Sequence, residues 1–131
     1  MDNLDSAKEI LKAIEMPERQ QNDISAYTLL ALSHVREHDN WSHATNDWIR
    51  IHDIIRFIDV NYDVQYAENS RETFRKQVIH QFRDAAIIED NGKATNSPLY
   101  RYRLTEELKA NIFAHDCAFF CFKIGLGIVY F

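Results

Sequence analysis

The spacing of apolar positions predicts four helices, a hairpin and a short closing helix. Leu4, Ala7, Leu11 and Ile14 recur at helical intervals, Asp2 or Asn3 can serve as the N-cap, and Pro17 ends the run. Glu18 to Asp23 is polar and reads as a connector. Ile24, Tyr27, Ala31 and Val35 share one side of a second helix, with Leu30 beside them. Arg36 to Asn46 reads as a polar loop that holds Trp41. Ile51, Ile54, Ile55 and Ile58, then Tyr62, follow the i, i+3, i+4, i+7 pattern of one helix face.

After a short polar connection, Asp63 to Glu68, a fourth helix is expected from Asn69. Glu72 stands three residues on, the spacing of a reciprocal capping box. Phe74, Val78, Phe82 and Ala85 give this helix its apolar stripe. Ile87 and Ile88 read as a short strand, and Asn91-Gly92 as a turn that tolerates positive φ. Tyr100, Tyr102 and Leu104 alternate with Arg101 and Arg103, so the returning strand has an apolar, largely aromatic face and a cationic one. Thr105 caps the closing helix, whose first turn carries Glu106 and Glu107 against its dipole. Helix, turn, helix, strand, turn, strand is the order of a winged helix-turn-helix. The expected fold is mainly α with a small β-hairpin wing. Residues 1–110 form that domain, and residues 111–131 an apolar carboxy-terminal tail.

Composition narrows the class. Of 131 residues 46% are hydrophobic and 27% charged, which excludes wholesale disorder; three Gly and two Pro exclude low-complexity architectures. Cys117 and Cys121 cannot form a disulfide framework, so a reducing cytoplasm is the expected location. No secretory leader is visible. The apolar stretch Cys117 to Phe131 contains Lys123 and is shorter than the ~20 residues of a membrane span, so no membrane partner is expected.

The net charge of −5 argues weakly against nucleic acid, but its distribution argues the other way. Residues 1–68 carry 6 basic and 13 acidic side chains, whereas residues 69–103 carry 7 basic and 4 acidic. Salt screens distant charge within ~10 Å, so the local face decides. On a helical wheel Phe74, Val78, Phe82 and Ala85 fall within about an 80° arc, with Ile79 on its flank. Thr73, Lys76, Gln77, His80 and Arg83 occupy the opposite arc, Arg75 lies at its edge and Arg71 in the first turn. Cationic groups for phosphates, with Gln or Arg for base edges, are what a major groove asks of a helix. Residues near the helix start reach deepest in such motifs, which singles out Arg71, Thr73, Arg75, Lys76 and Gln77. His80, Arg83, Lys93 at the wing tip, Arg101 and Arg103 would support them on the backbone. A solvated helix face produces the same pattern, and winged helices also serve as protein-interaction or transcription-regulator modules.

Other constellations carry less. His34, His38 and His43 cluster without a companion acid or cysteine at ligand spacing, and exposed loop histidines are the ordinary reading. His115, Cys117 and Cys121 could be drawn as a zinc site, but their apolar surroundings favour incidental thiols. Glu107-Leu108-Lys109 with Asp90 matches part of a metal-nuclease pattern. Two residues apart on a helix, Glu107 and Lys109 face different ways, which makes the match fortuitous. No catalytic residue and no metal ligand is assigned.

One longer pattern remains. Ile51-His52-Asp53-Ile54, Arg71-Glu72-Thr73-Phe74-Arg75-Lys76-Gln77, His80-Gln81-Phe82 and Asn96-Ser97-Pro98 occur in that order, preceded by Gln20-Gln21-Asn22-Asp23 and Ser25-Ala26. Over roughly residues 5 to 110 this resembles the amino-terminal region of the BsuBI/PstI family of type II restriction endonucleases. The resemblance implies a helix-turn-helix DNA-binding domain from a restriction-modification system. In the whole enzyme a separate carboxy-terminal domain holds the Mg²⁺-dependent nuclease centre and cuts the palindrome CTGCAG. It implies duplex DNA as partner, a possible homodimer on the palindrome, no cofactor in this chain and no catalytic residue at any position here. From about Asn111 the resemblance stops, and the tail reads as that of a truncated or frame-shifted fragment.

Overall fold

Asp2 starts the first helix. Its carboxylate accepts the Asp5 amide at 2.8 Å and satisfies one of the orphan donors of α1, Asn3–Ala13. Asn3, the other candidate cap, instead donates to the carbonyls of Arg36, Glu37 and Asp39 at 2.8, 3.1 and 3.0 Å. Asn22 caps α2, Asp23–Ser33, through the Ser25 amide. An ion pair from Lys8 to Asp23 joins the two helices. The computed structural model describes residues 2–94 and 96–112.

The sequence pattern gave α2 one apolar side, but nearly all of it is buried. Ala26, Leu29, Leu30, Ala31 and Leu32 have no exposed surface, and neither do Ser25, Thr28 and Ser33. Burying hydroxyls is tolerable when a carbonyl accepts from them. Thr28 donates to the Ile24 carbonyl at 2.7 Å and Ser33 to that of Leu29, whereas the Ser25 hydroxyl has no partner among the described residues. This makes α2 the central helix, packed between α1 and α3, Ile51–Tyr62. The loop between α2 and α3 is less polar than its composition suggests, since Trp41 and Ala44 are buried in it.

The isoleucines of α3 face the core as expected: Ile51, Ile54, Ile55 and Ile58 are all buried. Asp63 ends the helix in the left-handed region, and residues 63–70 form a longer connection than a tight turn, closing with a 3-10 turn, Glu68–Ser70. The capping box is not made. The next helix begins at Arg71 without a side-chain cap at Ser70, and Glu72 reaches forward to Arg75 at 2.9 Å.

That helix, α4, covers residues 71–84 in three parts: an α-helical turn Arg71–Phe74, a π-helical stretch Arg75–Ile79 and an α-helical end His80–Asp84. The wider π turn brings Ile79, a flank position on an ideal wheel, into the core beside Val78. Phe74, Val78 and Phe82 are fully buried. Ala85, counted into the stripe, caps the helix end and is exposed.

Two short antiparallel strands follow, β1, Ile88–Asp90, and β2, Tyr102–Leu104, with Ile88 opposite Leu104 and Asp90 opposite Tyr102. Gly92 takes φ +75° in the turn after β1, where an L side chain is disfavoured. Ile49, just before α3, adds a third rung. Its amide donates to the Tyr102 carbonyl at 2.8 Å, and the Tyr102 amide returns to Ile49 at 2.9 Å. Thr105 caps a helical segment over residues 106–112 by accepting the Leu108 amide at 3.3 Å. The architecture is mainly helical with a two-stranded antiparallel hairpin, the winged helix-turn-helix order expected. Among the described residues no helix is long and apolar enough to cross a membrane. The tail beyond residue 112, with His115, Cys117 and Cys121, lies outside the described residues.

Phe82 has no exposed surface and sits where α4 meets β1. Phe82→Ala should therefore lower the unfolding free energy by about 3–5 kcal/mol, read from urea denaturation, whereas Ala85→Ser should change it by less than about 0.5 kcal/mol.

Candidate nucleic-acid interface

With Phe74, Val78, Ile79 and Phe82 turned inward, the other side of α4 faces solvent. Thr73, Lys76, Gln77, His80 and Arg83 are all exposed on it. Thr73, Lys76 and Gln77 make no side-chain hydrogen bond or ion pair among the described residues. His80 lies 3.4 Å from the Asp84 carboxylate, one helical turn away.

The arginines are less uniform than the sequence suggests. Arg83 is held by Asp90 at 2.9 Å and donates to the Tyr100 hydroxyl at 3.3 Å, while that hydroxyl donates to Asp90 at 3.3 Å. Asp90 also accepts the Gly92 amide at 2.8 Å. This knot fastens the base of the wing to the end of α4. Arg103 bonds Glu89, its cross-strand partner, at 2.6 Å and stacks 4.2 Å from the centre of the Trp48 ring. Arg101 folds back on its own loop, donating to the carbonyls of Pro98 and Tyr100 at 2.7 and 3.0 Å. The expected cationic strand face is thus largely engaged in holding the hairpin. Lys93 is exposed in the turn.

Arg71 and Arg75 lie toward α3. The Arg71 guanidinium is 3.0 Å from His52 Nδ1, and Arg75 pairs with Glu72. Together with Arg50 and His52 they line a groove of about 490 Å³, closed on its far side by Ser97, Pro98 and the tyrosines of the wing. Arg50 itself grips Asp53 through two bonds, at 2.8 and 3.0 Å. The Arg50 guanidinium holds the Asp53 carboxyl below the usual carboxylate range. Burial pushes the Tyr102 hydroxyl well above the ordinary tyrosine value, so it stays protonated. Sequence reasoning missed Arg50, His52 and Trp48. The i, i+3 spacing of Arg50 and Asp53 at a helix start was the available signal for the first; Trp48 had none, because its partner is set by strand register.

Among the described residues no three His, Cys, Asp or Glu side chains stand together to hold a metal ion. His34 bonds the Asp47 carbonyl at 3.1 Å and meets Phe57 edge-on. Asp90 is committed to Arg83, Tyr100 and Gly92, and Leu108 is buried between exposed Glu107 and half-buried Lys109.

Comparison with known proteins identifies the family of this domain. Residues 1–119 match the family model described as the BsuBI/PstI restriction endonuclease HTH domain. The chain is 39% identical over 109 residues to the type II restriction enzyme BsuBI of Bacillus subtilis, covering 80% of this chain and 34% of that protein. It is 26% identical over 105 residues to the type II restriction enzyme AplI of Arthrospira platensis, covering 78% and 32%. The structure of SdaI restriction endonuclease superposes with a TM-score of 0.80 at 31% identity, over 86% of this chain and 36% of that one. The chain therefore spans about a third of the length of these relatives.

The Arg50–Asp53 clamp has a pH signature. A carboxyl depressed in the folded state stabilises above its unfolded pKa and loses that contribution as pH falls through the folded value. The Asp53 carboxyl carbon, followed by NMR from pH 7 down to 2, should titrate below the usual carboxylate range. Arg50→Gln should move that midpoint up toward the ordinary value; an unmoved midpoint would contradict the clamp.

Proposed function

The chain belongs to the BsuBI/PstI restriction endonuclease family as its helix-turn-helix domain, and from that premise we propose that it binds duplex DNA as the recognition part of a site-specific endonuclease. The observation that carries the proposal is the two-sidedness of α4. Its aromatic side is buried, while Thr73, Lys76 and Gln77 stand exposed with no partner among the described residues. A helix so fixed presents donors and acceptors to a major groove without side-chain rearrangement.

In this reading Gln77 and Thr73 read base edges, and Arg71, Arg75 and Lys76 sit at the same helix start. His80 and Arg83 farther along α4, and Lys93, Arg101 and Arg103 in the wing, lie against phosphates. Arg83, Arg101 and Arg103 are held by wing contacts and would act as pre-oriented charges rather than mobile ones. The target is CTGCAG or a close relative, and a two-fold dimer would suit such a palindrome. Mg²⁺-dependent cleavage is assigned, in this proposal, to a separate nuclease domain outside the residues described here.

The test is retardation of a CTGCAG duplex and of a scrambled duplex across a salt series, without Mg²⁺. Lys76→Ala should weaken both equally and flatten the salt dependence by about one phosphate contact; Gln77→Ala should instead erode the preference for CTGCAG, by roughly 1–3 kcal/mol of discrimination. Absence of any retardation at low salt would sink the reading, and a stable protein complex in its place would favour an interaction module. Incubated with plasmid and Mg²⁺, the chain should leave it uncut. Cleavage abolished by Asp90→Ala or Glu107→Ala would reverse the role given to those acids.

A further inference from the structure

The groove between the start of α3, the start of α4 and the wing is separate from the exposed face of α4. We propose that it seats one phosphodiester of the duplex backbone, an inference that rests on the DNA-binding reading above. Its cationic lining is Arg50 at the start of α3 with Arg71 and Arg75 of α4, and His52 of α3 lies among them. No carboxylate lines it among the described residues.

Arg50 and Arg75 carry more donors than the carboxylate bonds they make. A guanidinium offers five N–H groups. Asp53 takes two bonds from Arg50, through Nε and Nη2, and Glu72 takes Arg75 through Nη1. Both arginines keep donors beyond those bonds. The Nε of Arg75 is shut off from solvent and has no acceptor. For the guanidinium N–H groups that remain, an anionic oxygen is the strongest acceptor. A tetrahedral anion with several acceptor oxygens answers donors converging from two helices; a flat carboxylate answers one fork. Asp53 and Glu72 stay locked on the arginines and orient them, leaving the remaining N–H groups for the incoming anion. The groove adjoins the start of α4, where a duplex lying on Lys76 and Gln77 would bring its backbone, which makes that backbone the source of the phosphate.

The test follows binding of the full chain to CTGCAG and scrambled duplexes by fluorescence anisotropy from low to high salt. Arg50→Gln should weaken both duplexes alike and lower the slope of log K against log salt by about 0.9, one phosphate's worth, whereas Arg50→Lys should keep the wild-type slope. A thermal melt checks that each variant is folded. The Arg75 Nε–H resonance of the unmodified protein is the second readout and should move on duplex addition; it decides the matter if Arg50→Gln does not fold. Wild-type binding with an unchanged slope in folded Arg50→Gln, or an unmoved Arg75 resonance, overturns the groove and leaves the DNA reading standing. If the wild-type chain binds no duplex, the DNA reading fails instead. Inorganic phosphate, titrated at constant ionic strength against the same resonance, then separates the two ideas. A saturable shift keeps the phosphate seat with a free phosphate as its source, and no shift removes it.

Discussion

The rotation of α4 about its own axis is the constraint on which the remaining geometry depends. Phe74, Val78, Ile79 and Phe82 are inserted into the core with essentially no exposed surface. Close-packed interiors resist even small changes in side-chain volume, so a helix held by two phenylalanines and two branched residues cannot roll. Once that side is fixed, the direction of Thr73, Lys76, Gln77 and His80 follows. Tyr66 strengthens the hold, meeting Phe74 edge-on at 5.1 Å between ring centres. The π-helical stretch serves the same end, because it lets Val78 and Ile79, adjacent in sequence, both reach the interior.

Electrostatics divides the cationic side chains into two groups. Arg83 and Arg103 each bond a carboxylate on β1, and Arg101 bonds main-chain carbonyls of its own loop. Their work is structural first. Ion pairs at partly exposed positions contribute little individually, but the Arg83, Asp90 and Tyr100 contacts share partners and so reinforce one another. Lys76 and Lys93 carry no such bond through their side chains among the described residues. A net charge of −5 coexists with a cationic face because the excess acid lies in the first half of the chain.

The helices were legible in the sequence because their periodicity is set by one buried face each, and α3 shows this in four isoleucines. What the pattern could not show was α2, where burial on almost every side erases the stripe. Nor could it show the path into α4: Asn69 and Glu72 have capping-box spacing, yet Glu72 is drawn to Arg75, a stronger acceptor–donor match than an amide. The aromatic alternation of the returning strand was readable, and Tyr102 and Leu104 are buried. The third rung at Ile49 was not, since a single bridging residue has no periodicity. The same limit hid Arg50 and His52, which gain their meaning only when α4 is folded back beside them.

The Ile49–Tyr102 rung has a topological consequence. It closes a chain segment of roughly 50 residues on itself, at an entropic cost that grows only with the logarithm of its length. α3, α4 and most of the wing hang within that closed segment, and its two ends stand side by side. Joined there, α3 and the returning strand are spaced by backbone geometry rather than by side chains, while α2 supplies the core they share. Two backbone hydrogen bonds at the hem of the hairpin thus fix how the start of α3 stands against the wing.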